Sequence, residues 1–176
     1  MRAALAIRGQ DHRALEEDLL ECFNVNVIGQ IHLFNLFTPL ILKGRAKKVI
    51  ALSSGHADPK LVLDFNIDVA SSYAISKAAL NFAITKFSAQ YAKDGVLFMS
   101  ISPGLVDTGN FNDLTPAQLE SIGKMVASFQ KYAPDFKGAT TPADSVKDVM
   151  KVIERASLEN GDGGAFLSHK GNQQWL

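Results

Sequence analysis

Two short apolar runs, residues 49–52 and 96–101, each follow a long helical stretch, and this alternation constrains the fold more than any other feature of the chain. Over residues 15–43, apolar side chains recur at helical spacing (Leu15, Leu19, Phe23, Val27) and then become dense enough to surround the helix, which predicts burial on more than one side. Residues 71–93 form a second long helix with Leu80, Ile84, Phe87 and Tyr91 on one stripe and Ile75, Ala79 and Phe82 near another, stopped at Asp94-Gly95. A short, unbroken apolar run between such helices suits a strand covered on both faces of a parallel sheet.

Residues 55–70, with Pro59 and several aspartates, read as a loop. Thr115-Pro116-Ala117-Gln118 and Thr141-Pro142-Ala143-Asp144 each combine a hydroxyl cap, a first-turn proline and a reciprocal side chain, which marks two helix starts. The second helix is expected to present Val146, Val149, Met150 and Ile153 on one face. A last short strand over 165–168 follows Gly161-Asp162-Gly163-Gly164. Strands alternating with helices predict parallel pairing, right-handed crossovers and an α/β fold, here a partial Rossmann-like doubly wound sheet of three strands with flanking helices. At 176 residues, 47% hydrophobic, the chain reads as one domain over 1–176.

Eighteen basic and 18 acidic residues cancel, and no basic run exceeds Arg45-Ala46-Lys47-Lys48, so no nucleic-acid partner is expected. The single cysteine, Cys22, excludes a disulfide framework, reads as a buried thiol and points to a reducing, cytoplasmic setting. The apolar start before Arg8 is too short for a signal peptide, and residues 33–42, interrupted by Asn35, Thr38 and Pro39, fall short of a membrane span. His12, His32, His56 and His169 show no metal-ligand spacing.

The chemistry concentrates in Tyr73-Ala-Ile-Ser-Lys77, which opens the second helix and sets a phenol and an ammonium one turn apart on one face. A free phenol titrates near about pH 10, and a nearby ammonium favours its phenolate, so a tyrosine tuned this way serves as general acid or base. The pair alone is equally readable as helix surface. Its setting adds weight, because the preceding strand ends in Ser53-Ser54-Gly55 and the following one in Pro103-Gly104-Leu105-Val106-Asp107-Thr108. Open α/β sheets bind ligands beyond the carboxyl ends of their strands. Structural readings stand beside these: a strand-ending turn for Ser53 and Ser54, a backbone-bonding helix residue for Asn26, and chain punctuation for Pro103-Gly104.

In this order the motifs resemble the short-chain dehydrogenase/reductase family, and Asn26-Val-Ile-Gly29 is similar to that family's Asn-x-x-Gly motif. The resemblance implies that Tyr73 exchanges a proton with the substrate oxygen, that Ser54 hydrogen-bonds the same oxygen, and that Lys77 lowers the tyrosine pKa and holds the nicotinamide ribose. It further implies that Asn26 helps hold a proton-relay water and that Pro103, Gly104, Val106 and Thr108 line the nicotinamide and its phosphate. The implied cofactor is NAD or NADP, with NADP slightly preferred, and the implied substrate a small carbonyl or alcohol compound.

Two departures from the family pattern stand out. The gap from Ser54 to Tyr73 is long, which implies an insertion beside the substrate mouth, and the chain contains neither the Gly-rich turn nor the Asn-Asn-Ala-Gly stretch. The expectation is a catalytic half whose N-terminal cofactor-binding part is missing, leaving the flank of the 49–52 strand uncovered. The family also implies a homodimer or homotetramer through helices 15–43 and 71–93. A catalytically silent chain that dimerises or regulates is therefore the alternative to an enzyme. Residues 109–140 are expected to form a variable lid, with Phe111, Leu114, Met125, Phe129, Tyr132 and Phe136 available to line a pocket for an apolar or aromatic carbonyl compound of secondary metabolism.

Overall fold

The computed structural model describes residues 12–109, 123 and 126–176. In chain order it contains α1 (His12–Phe23), a π-helical stretch (Asn24–Ile28), α2 (Gly29–Lys43), β1 (Lys48–Leu52), a 3-10 turn (Gly55–Ala57), α3 (Pro59–Phe65), α4 (Ser71–Tyr91), a second 3-10 turn (Ala92–Asp94), β2 (Leu97–Ser102), α5 (Pro142–Arg155) and β3 (Phe166–Ser168). A further helical segment runs over 126–132. The strands pair in parallel in the order β1-β2-β3, with Lys48 opposite Leu97, Leu52 opposite Ile101, and Ser102 opposite Ser168. This is the expected α/β arrangement, three strands of a Rossmann-like sheet.

β2 is buried along its whole length, and its alternation divides the core. Val96 and Phe98 pack with Val49 and Ala51 against Phe34 of α2 and Leu80 and Ile84 of α4, while Phe87 and Tyr91 stack on Phe98. Leu97, Met99 and Ile101 face the other way, onto Val149, Val152 and Ala156. Helices therefore cover both faces, as a parallel sheet requires. Each fully buried large side chain, such as Phe98, Leu80 or Ile84, contributes roughly 1.5–3 kcal/mol relative to exposure.

The structure departs from several expectations. The long first helix runs unbroken through its π stretch, but only Val27, Phe34 and Thr38 are buried on it, while Leu33, Leu36, Phe37 and Leu40 are exposed. Its apolar density therefore covers surface as well as core. By length and composition alone, His12–Lys43 is also apolar enough to cross a membrane, which the shorter window at 33–42 did not reveal. The buried side of α4 carries Ser72, Ser76 and Ser88 beside Leu80 and Ile84, and Phe82 stays outside. The stretch 55–70 is not a plain loop, since Asp58 caps α3 by accepting from the Lys60 amide at 2.9 Å and Pro59 sits in the first turn.

α5 begins as expected, with Thr141 Oγ1 accepting from the Asp144 amide at 3.1 Å. Its buried face is only partly the expected one: Val149 is buried and Ile153 packs on the core, but Ser145 and Val152 are buried while Val146 and Met150 are exposed. Ser145 Oγ donates to Pro103 O at 2.9 Å. Cys22 is half-buried rather than enclosed. The expected helix start at Thr115-Pro116-Ala117-Gln118, and Phe111, Leu114 and Met125 of the lid, lie outside the described residues.

Candidate active site

The carboxyl ends of the three strands meet at one end of the sheet, and backbone bonds tie them together. Ser53 N donates to Ile101 O at 2.7 Å, Gly55 N to Ser102 Oγ at 3.1 Å, and His169 N to Ser102 O at 2.8 Å. Ser54 stands at this junction in extended conformation, its hydroxyl accepting from the His56 amide at 3.3 Å. The tight turn that follows depends on Gly55, where a Cβ would come within 2.7 Å of the Trp175 Cβ.

α4 brings Tyr73 and Lys77 to Ser54. The Ser54 hydroxyl stands near enough to the Tyr73 phenol to pull its pKa down. Lys77 Nζ sits 5.6 Å from the centre of the Tyr73 ring and donates to Leu52 O at 2.8 Å, so its charge is held between the phenol and the end of β1. Burial pushes the phenol pKa up, with the Ser54 hydroxyl opposing it and the nearby Cys22 adding to it. Burial likewise pushes the Lys77 ammonium down. The expected lowering of the phenol by Lys77 does not appear among the causes of its shift; burial dominates, and the resting site favours a protonated tyrosine.

Asn26 lies in the π-helical stretch, a local widening that often accompanies function. Its Nδ2 donates to Ser76 Oγ at 3.0 Å, and Ser76 Oγ donates to Tyr73 O at 2.8 Å. Asn26 is therefore linked through one serine to the backbone of Tyr73. Past β2, Gly104 adopts φ +80°, and a Cβ there would fall 2.8 Å from the His169 ring, so glycine is demanded by this chain's own packing. Val106 bridges to Thr140 in parallel, Asp107 N donates to Thr140 O at 2.9 Å, and Ser145 holds Pro103. These contacts fix the course of the loop that leads to Thr108.

Ser54, Tyr73 and Lys77 converge, Gly104 shares a small cavity with Ser54, and Asn26 stands behind the tyrosine. Val106 and Thr108 lie further along the loop. The cavity of about 70 Å³ is lined by Ser54, His56, Leu61, Gly104, Phe129 and Trp175, among others. A larger apolar cavity of about 220 Å³ lies on the other side of His56, between α3 and the start of α4. Of the lid aromatics, Phe129, Tyr132 and Phe136 join the cluster around Leu61, Ile67 and Trp175. Sequence reasoning missed His56 and Trp175. His56 had a signal, two residues after Ser54, whereas Trp175 had none, being brought in by the chain's course after β3.

Lys77 has Leu52 O as its one hydrogen-bond acceptor among the described residues, which leaves two of its N–H groups able to donate to a bound group such as a ribose. Among the described residues no cluster of metal ligands occurs.

Residues 2–119 match the family model described as short chain dehydrogenase. The chain is 57% identical over 173 residues to the short chain dehydrogenase virK of Hypocrea virens, an overlap covering 98% of this chain and 64% of that relative. It is 47% identical over 168 residues to the short-chain dehydrogenase/reductase iacC of Pestalotiopsis fici, covering 96% and 62%. The chain thus spans less than two thirds of the length of these relatives. Among solved structures, the NADPH-bound carbonyl reductase from chicken fatty liver superposes with a TM-score of 0.70 at 24% identity, covering 98% of this chain and 61% of that one. With a family match over most of its length and a fold that agrees with it, this chain belongs to the short-chain dehydrogenase family.

Proposed function

We propose that the chain carries the proton-transfer half of a nicotinamide-dependent oxidoreductase that interconverts a carbonyl and an alcohol. The observation that supports this most is the convergence of the Ser54 hydroxyl, the Tyr73 phenol and the Lys77 ammonium beyond β1. A substrate carbonyl oxygen placed between Ser54 and Tyr73 receives hydrogen bonds from both hydroxyls. As negative charge grows on that oxygen, the phenol proton passes to it and the Lys77 ammonium offsets the charge left on Tyr73. Burial raises the phenol pKa and so holds the proton on Tyr73 until the substrate oxygen becomes the stronger base. In the reverse direction the phenolate takes the alcohol proton.

NAD or NADP, when bound, supplies or takes the hydride. Tyr73, Lys77, Pro103, Gly104, Val106 and Thr108 would hold its nicotinamide end, and NADP is the first to test because the chicken carbonyl reductase binds NADPH. Asn26, bonded to Ser76, would support the proton path behind Tyr73. The substrate reading is an apolar or aromatic carbonyl compound, in keeping with the mostly apolar cavities at His56.

The exposed apolar residues Leu33, Leu36, Phe37, Leu40 and Phe82 favour pairing of two chains through the first long helix and α4, as a homodimer or homotetramer. The same surface favours the second reading, a chain that pairs without turning over. Calorimetry with NADPH and NADH separates the two. Micromolar binding by the 176 residues supports the enzyme, and no heat at millimolar cofactor supports the silent partner.

A further inference from the structure

The His56 imidazole is a polar group in apolar surroundings, and its Nδ1 is buried with no hydrogen-bond partner. A buried, unpaired nitrogen opposes folding, so its presence beside a cavity calls for an explanation. The residue is held from three directions. Its backbone amide donates to Ser54 Oγ, its edge meets Phe129 with ring centres 6.2 Å apart, and its own 3-10 turn is pressed against Trp175 at Gly55. It lines both the cavity that holds Ser54 and the larger apolar one between α3 and α4. Burial pushes its pKa down, so at neutral pH the ring is uncharged and offers one donor and one acceptor.

We propose that His56 is a substrate-binding residue that selects carbonyl compounds carrying a second hydrogen-bonding oxygen, a hydroxyl or another carbonyl, next to the reacting one on an otherwise apolar ring. This rests on the reading of Ser54 and Tyr73 as the carbonyl site. The reacting oxygen lies at Ser54, and the neighbouring oxygen satisfies the imidazole nitrogen that the protein leaves unpaired. The apolar body contacts Leu61, Leu105, Phe129 and Trp175, which line the same cavity.

The test uses acetophenone and ortho-hydroxyacetophenone, which differ by that one hydroxyl. Trp175 is the chain's only tryptophan and lines the cavity, so its emission, corrected for ligand absorbance, reports binding without dinucleotide or turnover. A chain that fails to reduce either ketone would still answer this question, which separates the inference from the proposed activity. The expected result is binding of the hydroxylated ketone about five-fold tighter than its parent, the worth of one net hydrogen bond. His56→Phe, which keeps the ring edge at Phe129, brings that ratio to one. His56→Asn, whose amide can stand near the position of Nδ1, preserves the ratio. Because the ratio is taken within each variant, a general loss of stability does not move it. Equal affinities in the unsubstituted chain, no binding of either ketone, or an unchanged ratio in His56→Phe overturns the proposal.

Discussion

Asp58 performs two tasks at once, so its removal has a cost that can be worked out from the structure. Oδ1 accepts from the Lys60 amide and caps α3, while Oδ2 accepts from the Trp175 indole N–H at 2.7 Å, joining two parts of the chain 117 residues apart. Trp175 is only 2% exposed, and the carboxylate is the partner of its N–H. Loss of an N-cap costs about 1 kcal/mol, and a buried donor left unpaired costs about 1–3 kcal/mol more. Asp58→Ala is therefore expected to lower the unfolding free energy by roughly 2–4 kcal/mol, read from urea titrations followed by Trp175 emission. Asp58→Asn keeps a single acceptor and caps a helix about as well, but its Nδ2 donor then faces the indole N–H, so it should recover only the cap's share, about 1 kcal/mol. If alanine leaves stability unchanged, or asparagine proves as damaging as alanine, the assignment of Asp58 as a joint between α3 and Trp175 is wrong.

Three further outcomes follow from backbone geometry and charge. Gly104→Ala places a Cβ against the His169 ring at φ +80°, so it should destabilise by more than the roughly 1–2 kcal/mol of the backbone term alone; an unchanged urea midpoint would contradict the close approach. Ala70, which precedes α4, sits in the left-handed region at φ 56°, and Ala70→Gly should raise the unfolding free energy by about 1 kcal/mol in the same assay. Burial depresses the pKa of His56 and, with a smaller contribution from Lys170, that of His169. The unfolded chain therefore binds protons first, near about pH 6.5, and stability should be full above that pH and fall as the pH drops toward the lower folded values. His56→Asn should flatten the decline measured between neutral and mildly acidic buffer; an equal slope would show that His56 is not held neutral by the fold.

The sheet was legible because its strands are short apolar runs set between long helices, and β2, buried on both faces, shows that pattern most plainly. The ends of the strands were legible for the same reason, and Ser54, Tyr73 and Lys77 occur at the boundaries where periodicity changes. The orientation of the helices was less so. Periodicity counts apolar residues, whereas the buried side of α4 includes Ser72, Ser76 and Ser88, and that of α5 includes Ser145, which donates to Pro103 O. α3 was overlooked because Pro59 and the aspartates resemble loop composition, although Asp58-Pro59 is also a helix start. The direction of the Tyr73 shift depends on how deeply the phenol is buried, which spacing along a helix does not encode. Trp175 reaches the site through the course of the chain after β3 and through its partners Asp58 and Tyr132, contacts that span more than a hundred and more than forty residues respectively.

The central claim is that Tyr73 moves the proton. Its most direct test is the rate of NADPH- or NADH-dependent ketone reduction by the unsubstituted chain and by Tyr73→Phe, with cofactor affinity measured alongside by calorimetry. The account predicts a fall in rate of about 10²–10⁴-fold for the phenylalanine variant at nearly unchanged cofactor affinity. Equal rates in the two proteins would contradict it.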